Sequence, residues 1–176
     1  MEIVHFMENI VYLIGPRGAG KTTVGKALSL SLNHEFIDTD YWITNKYQQT
    51  ISSMVENKGW DFFRKIESEA LIQVSQPNRV ISTGGGMILA DNNRSYMKSK
   101  GVTIYLQASL ETLVSRLSDD PNVAQRPSLT GQTLLSEIQS VLTEREALYL
   151  QCSDIIVDAG LSISEIIKTI LTKLPK

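Results

Sequence analysis

The chain has 176 residues, of which 42% are apolar and 20% charged, with a net charge of −2. This composition is typical of a globular domain with its own core, and the charge gives no general attraction to nucleic acid or anionic membranes. A membrane-spanning helix needs about 18 consecutive apolar residues, and no apolar run in the sequence approaches this length. The single cysteine, Cys152, cannot form an internal disulfide and is expected to be a small buried apolar residue. We therefore expect a cytoplasmic, monomeric protein with no nucleic-acid or membrane partner.

Short apolar runs rich in β-branched residues predict five β-strands, and several of them lack polar alternation. They cover residues 10–14, 35–38, 79–82, 103–107 and 154–158. Segments with helical periodicity or helix-start signals lie between and after them, at 24–32, 41–47, 60–75, 134–149 and 162–174. The alternation predicts an α/β fold over residues 1–176, a single domain with a five-stranded parallel sheet flanked by helices in three layers.

Residues 15–22 read GPRGAGKT and stand between the first predicted strand and the first predicted helix. This satisfies the phosphate-binding pattern G-x-x-x-x-G-K-[ST] in the structural context that the pattern requires. The glycines allow the backbone N–H groups to turn inward around an anion, Lys21 would reach the β- and γ-phosphates, and the Thr22 hydroxyl would bind Mg²⁺. The alternative is an ordinary glycine-rich turn, which the complete pattern makes the weaker interpretation.

Two carboxylates, Asp38 and Asp40, follow the second predicted strand at the sheet edge where open α/β folds bind ligands. Residues two apart on a strand point the same way, so both could face the phosphate loop. Asp38 is a candidate Mg²⁺ ligand, directly or through water, and Asp40 would lie further out toward an acceptor. The alternative for Asp40 is an N-cap of the helix over 41–47.

Other polar positions are ambiguous when each is taken alone. Residues 83–86, TGGG, permit close approach of a ligand to the backbone or form a flexible turn. Arg64 and Glu67 share a helix face and could form a solvated ion pair of little energetic value, and Arg145 allows the same interpretation. Residues 118–131 lack periodicity and predict either a surface loop or an active-site lid; Arg126 favours the lid.

Taken together, these motifs resemble the shikimate kinase family in order and over nearly the whole chain. The resemblance rests on GxxGxGKTTVG at 15–25, DTD at 38–40, FRxxE at 63–67, TGGG at 83–86, RP at 126–127 and REALY at 145–149. Trp60 and the segment RPSLTG at 126–131 look most like the second isozyme type of enterobacteria.

The resemblance implies a P-loop kinase fold, like that of adenylate kinase, with a mobile lid at about 118–131 and an acceptor-binding helical region at about 40–75. ATP and Mg²⁺ would be used to phosphorylate the 3-hydroxyl of shikimate, on the route to chorismate and the aromatic amino acids. The implied ATP-binding residues are Gly18, Ala19, Gly20, Lys21, Thr22, Thr23, Arg116 and Arg126, and the implied metal residues are Thr22 and Asp38. The implied shikimate-binding residues are Asp40, Arg64, Glu67, Gly84, Gly85, Gly86 and Arg145. Lys21, Asp40 and Arg126 would be catalytic.

Two alternatives remain open from the sequence. Another small-molecule kinase of the same fold, such as gluconate kinase, also acts on a hydroxylated carboxylate. A nucleotide-dependent switch would bind ATP without acceptor-stimulated turnover, but it gives no reason for Asp40, Arg64 and Arg145 to occur in this register.

Overall fold

A computed structural model describes residues 9–120 and 133–176 of the chain. In these ranges, five strands form one sheet in the order β2-β3-β1-β4-β5, and every neighbouring pair is parallel. The strands are β1 (Ile10–Ile14), β2 (Glu35–Asp38), β3 (Arg79–Ser82), β4 (Gly101–Gln107) and β5 (Ile155–Asp158). Each parallel pair requires a crossover, and the crossovers of this chain contain the helices.

Seven α-helices occur in the described part of the chain. They are α1 (Lys21–Leu32), α2 (Thr39–Tyr47), α3 (Ile51–Val74), α4 (Asp91–Lys100), α5 (Leu110–Ser118), α6 (Leu134–Cys152) and α7 (Ile163–Lys173), with a short 3-10 helix at Met87–Leu89. Helix α7 opens with the predicted capping box, in which Ser162 and Glu165 each accept from the other's backbone N–H. None of these helices is long and apolar enough to cross a bilayer.

The central strand β1 divides the hydrophobic core into two layers. It is buried along its whole length, and its side chains alternate between the faces of the sheet. Val11 and Leu13 belong to a cluster with residues of α1, α5 and α7, whereas Tyr12 and Ile14 belong to a cluster with residues of α3, α4 and α6. The predicted arrangement of a parallel sheet covered on both faces is therefore confirmed.

Most of the predicted elements are present, with informative differences. Strand β4 begins earlier than predicted, and α3 begins at Ile51, nine residues before the predicted start at Trp60. Gly59 has a non-helical backbone with φ 84°, so Trp60 does begin a separate helical segment. Helices α4 and α5 were not predicted. Helix α4 is strongly polar and buries only Asn93 and Met97, too few positions to produce a clear period. The assignment of the whole chain to one domain stays a prediction.

The carboxyl ends of the strands bring the predicted ligand-binding segments together. β1 leads into the phosphate loop, β2 ends at Asp38, and β3 leads into the glycine turn at 83–86. Since β3 lies between β1 and β2 in the sheet, these three segments lie side by side at one edge. This is the edge at which open α/β sheets bind their ligands.

Candidate functional site

The phosphate loop has the backbone geometry that its glycines were expected to provide. Gly18 and Gly20 have φ of 87° and 92°, in the left-handed region that favours glycine. Gly20 is also the N-cap of α1 and makes no side-chain capping bond. The first N–H groups of the helix therefore remain available to an anion at the positive end of the helix dipole.

Two cations lie against the loop. The Lys21 ammonium donates to the carbonyl oxygens of Gly15 and Pro16 at 2.7 and 2.9 Å, and the side chain is buried. The Arg116 guanidinium donates to the Gly18 and Ala19 carbonyls, both at 3.2 Å, and to the Ala159 carbonyl at 2.7 Å. Arg116 thus links the phosphate loop to the turn after β5.

Thr22 and Asp38 form a pair of oxygen donors beside the loop. The Thr22 hydroxyl donates to Asp38 Oδ2 at 2.9 Å, and the other carboxylate oxygen, Oδ1, accepts from the Tyr41 backbone N–H at 3.1 Å. Asp38 is therefore the N-cap of α2, and the alternative that Asp40 caps this helix is wrong. Asp40 lies in the first turn of α2 and not on an extended strand. The expectation that Asp38 and Asp40 point the same way as residues two apart on a strand therefore does not apply.

Arg64 and Glu67 form an ion pair that is largely removed from solvent. Arg64 donates to Glu67 Oε2 at 2.7 Å, and the Glu67 side chain is only 2% exposed, so a solvated helix pair is excluded. A Cβ on Gly84 would lie 2.6 Å from Glu67 Oε1 and 2.8 Å from Asp40 Oδ1, and a Cβ on Gly86 would overlap the Arg64 guanidinium. The glycine turn therefore leaves room for this charged cluster.

Burial raises the pKa of the Glu67 carboxyl, and the attraction of Arg64 opposes this shift without cancelling it. A carboxyl with a native pKa above its unfolded value favours folding most below the unfolded pKa, and this contribution is lost as the pH rises through the native pKa. In Glu67→Gln the group does not titrate. We therefore expect the melting temperature of this variant, relative to the wild type, to rise with pH in the window above 4.5 and then to level off.

Thermal denaturation across this pH range measures the difference. Glu69→Gln is a suitable control, because Glu69 is an exposed carboxylate on the same helix. The melting-temperature difference between Glu67→Gln and the wild type could fall with pH, or could follow the difference measured for Glu69→Gln. Either result would contradict a raised pKa of the buried Glu67 carboxyl.

Arg145, on α6, is a buried cation with unused hydrogen-bonding capacity. It is 6% exposed, and its Nε has no hydrogen-bond partner among the described residues. Its positive charge lowers the pKa of the Tyr149 hydroxyl, one turn later on the same helix, against the larger effect of burial. A buried guanidinium N–H without a partner is costly, which indicates that an acceptor from a ligand belongs there.

Most of the predicted site residues line one or both of two adjoining cavities. The first is lined by Arg64, Glu67, Arg145 and the turn of Gly84, Gly85 and Gly86. The second is lined by the phosphate-loop side, with Gly18, Gly20, Lys21, Thr22, Thr23, Asp38 and Arg116. Asp40, Gly84 and Gly85 line both, so the two cavities meet at Asp40. The predicted Ala19 lines neither, because its side chain is buried in the core and only its backbone belongs to the loop.

Some lining residues were not predicted. Arg17 and Leu117 line both cavities, and Trp60 and Phe63 line the first, where the Arg64 guanidinium lies 5.0 and 5.7 Å from their rings. Arg17 occupies a variable position of the phosphate-loop pattern, which therefore gave no signal for it. Leu117 has no recognisable signal, because only the packing of α5 brings it to the site.

Arg126 and nearly all of the predicted lid at 118–131 lie outside the described residues. The described residues on either side do reach the site. Leu117 and Asp120, on the N-terminal side of the undescribed residues, line the second cavity, and Leu134 and Glu137, on their C-terminal side, line the first.

A family model for shikimate kinase matches residues 17–175 of the chain. The chain belongs to the shikimate kinase family. A relative named "Shikimate kinase 2" from Photorhabdus laumondii is 51% identical over 160 residues, covering 91% of this chain and 92% of the relative. Another of that name from Enterobacter sp. (strain 638) is 45% identical over 168 residues, covering 96% and 97%. These relatives confirm the expected likeness to the second isozyme type.

Solved structures agree with this membership. The shikimate kinase from Acinetobacter baumannii in complex with shikimate superimposes with a TM-score of 0.86 at 30% identity, covering 96% of each chain. A gluconokinase from Sinorhizobium meliloti has a TM-score of 0.61 at 17% identity, covering 95% of this chain and 91% of its own. The second likeness shows a shared fold alone. The prediction of a P-loop kinase fold is confirmed.

Proposed function

We propose that the protein transfers the γ-phosphoryl group of ATP to the 3-hydroxyl of shikimate, giving shikimate 3-phosphate. The observation that carries this proposal is the meeting of the two cavities at Asp40, with the phosphate loop on one side and the two arginines on the other. Phosphoryl transfer requires chiefly that donor and acceptor be held in line and that charge on the transferred group be neutralised.

The nucleotide side would hold the phosphates of ATP. The backbone N–H groups of residues 18–23 would donate to the phosphate oxygens, as the φ values of the loop and its position before α1 support. Lys21 would bind the β- and γ-phosphates. Arg116, which bridges the loop and Ala159, would lie near the base of the nucleotide, as the family resemblance implies.

The Thr22 hydroxyl and the Asp38 carboxylate fit a magnesium ion. They are hard oxygen donors 2.9 Å apart beside the phosphate loop. Mg²⁺ prefers one or two carboxylates together with phosphate oxygens and water over a cage of many carboxylates. The described residues contain no cluster of three or more potential metal-binding side chains of the His, Cys, Asp or Glu type, in agreement with such a site. When bound, the ion would neutralise charge on the phosphates.

The acceptor side would bind a small hydroxylated carboxylate. Arg64 and Arg145 line one cavity and supply the local positive charge that a chain of net charge −2 lacks overall. Guanidinium groups bind carboxylates through paired hydrogen bonds, and Arg145 has a buried Nε with no partner among the described side chains. Glu67 would keep Arg64 in place.

Asp40 would act on the reacting hydroxyl. It lines both cavities, which supports a carboxylate at the point where the acceptor oxygen would meet the phosphoryl group. It would orient this hydroxyl and accept its proton. Arg126, outside the described residues, would approach the transferred phosphoryl group with the lid, whose flanking residues line the site. Closure would exclude water and limit wasteful hydrolysis of ATP.

Acceptor-dependent release of ADP tests the proposal. The purified protein is incubated with Mg-ATP and either shikimate or gluconate, and ADP is measured over time. We expect saturable turnover with shikimate and little with gluconate. Turnover with gluconate alone would assign a different acceptor, and ATP binding without stimulation by either acid would favour a nucleotide-dependent switch.

A further inference from the structure

Tyr149 is a buried tyrosine of α6 that lies directly behind the proposed acceptor site. Its side chain is fully buried and is not among the residues that line either cavity. The hydroxyl donates to the Gly85 carbonyl oxygen at 2.6 Å, and Gly85 lines both cavities. Tyr149 therefore contacts the ligand-binding turn without itself reaching a ligand.

The same hydroxyl also lies near the charge of the proposed carboxylate-binding arginine. Arg145 precedes Tyr149 by one helical turn, so both side chains lie on one face of α6. The positive charge of Arg145 lowers the pKa of the Tyr149 hydroxyl, against the larger effect of burial, so the guanidinium lies close to this oxygen. Burial raises the pKa of Tyr149 to about 12, so the hydroxyl keeps its proton at neutral pH and remains a donor to Gly85.

The bond to Gly85 also fixes the direction of a backbone donor. The Gly85 carbonyl and the Gly86 N–H belong to one peptide unit, and the described chain contains no cis peptide bond. In a trans peptide these two groups point in opposite directions. With the carbonyl held toward Tyr149, the Gly86 N–H is turned away from Tyr149, and Gly86 itself lines the acceptor cavity.

The position of Tyr149 is itself secured from β4. Tyr105 stacks on the Tyr149 ring with centroids 5.0 Å apart and an interplanar angle of 18°. The Tyr105 hydroxyl and the Gln107 amide donate to the two carboxylate oxygens of Glu146, at 2.6 and 2.8 Å. Glu146 is the neighbour of Arg145 in sequence, so these bonds restrain the rotation of α6 about its axis.

We propose that Tyr149 is a positioning residue for the acceptor, holding the Gly85–Gly86 peptide in one orientation through its hydroxyl, beside the guanidinium of Arg145. This inference rests on the proposed function. It gives the REALY segment at 145–149 a purpose beyond Arg145: Glu146 anchors the helix, and Tyr149 holds the glycine turn.

Tyr149→Phe tests the inference, because it keeps the ring and its stacking on Tyr105 and removes only the hydroxyl. We expect the KM for shikimate to rise about five- to tenfold, as for loss of one buried hydrogen bond, with the KM for ATP changed by less than about twofold. Tyr12→Phe is the matched control. Tyr12 is equally buried in the same core cluster, and its hydroxyl donates to Ser75 Oγ at 2.8 Å, away from both cavities. It should lower the melting temperature without changing either KM.

Steady-state kinetics with each substrate varied in turn, together with melting temperatures, give the result. An unchanged KM for shikimate in folded Tyr149→Phe, or an equal rise in both KM values, would overturn the positioning role. If Tyr149→Phe does not fold, Glu146→Gln loosens the same helix and is judged by the same criterion. A wild-type protein without shikimate-dependent turnover would contradict the proposed function and this inference with it, whereas an active wild type with an unaffected Tyr149→Phe contradicts this inference alone.

Discussion

Lys21→Ala is expected to lower kcat by about 10²–10³-fold while leaving the fold intact. The reason is electrostatic. Lys21 is a buried ammonium inside the phosphate loop, and in the proposed mechanism its charge compensates the charge that develops on the β- and γ-phosphates. Binding of ATP should weaken less than turnover, because the loop N–H groups and Arg116 remain. Measurement of kcat with saturating shikimate and Mg-ATP checks the expectation.

Lys26→Ala is the matched control for this variant. Lys26 is an exposed lysine on the same helix and lines neither of the two cavities. Lys26→Ala removes the same charge, but from a position outside the two cavities. It should therefore retain near-normal turnover. If Lys21→Ala kept a kcat similar to that of Lys26→Ala, the phosphate loop would have no catalytic role through its lysine.

Asp40→Asn is expected to lower kcat by about 10²–10⁴-fold, the range of a general base, and to leave ATP binding nearly unchanged. Asparagine matches the shape of aspartate but cannot accept the proton of the acceptor hydroxyl. Asp40 lies at the junction of the two cavities, whereas Thr22 and Asp38, the proposed metal residues, are untouched by the substitution. Nucleotide titration and steady-state kinetics together separate the two effects.

Asp61→Asn is a suitable control for Asp40→Asn. Asp61 is an exposed aspartate at the start of the segment of α3 that also carries Arg64 and Glu67. It should behave like the wild type. Full activity of Asp40→Asn would remove Asp40 from the reaction, and loss of ATP binding would assign it to the nucleotide rather than the acceptor.

The phosphate loop could be predicted from the sequence because its geometry is local. Gly18 and Gly20 have the positive φ values that their positions in the pattern require. The five strands could also be predicted from local patterns. Short apolar runs that alternate with helical segments are typical of the buried strands of a parallel sheet. Polar helix α4 lacked such a pattern, because it buries too few side chains.

The acceptor site depended on packing between distant segments, which sequence spacing does not contain. Arg64 and Glu67 have the spacing of an ordinary surface pair, and their burial arises because the glycine turn after β3 leaves room for them. Asp40 was expected to point the same way as Asp38 because the helix was predicted to begin at residue 41, but α2 begins at Thr39, directly after β2, and Asp38 is its cap. Tyr149 belongs to the REALY motif, but the motif gave no role for its hydroxyl, since that role arises only where α6 meets β4 and the turn.

A crystal structure of the protein with a non-hydrolysable ATP analogue, Mg²⁺ and shikimate tests the arrangement most directly. The proposal predicts the shikimate carboxylate on Arg64 and Arg145, and its 3-hydroxyl at about 2.6–3.2 Å from the Asp40 carboxylate, facing the γ-phosphate. Shikimate bound elsewhere, or with Asp40 beyond hydrogen-bonding distance of any hydroxyl, would contradict it.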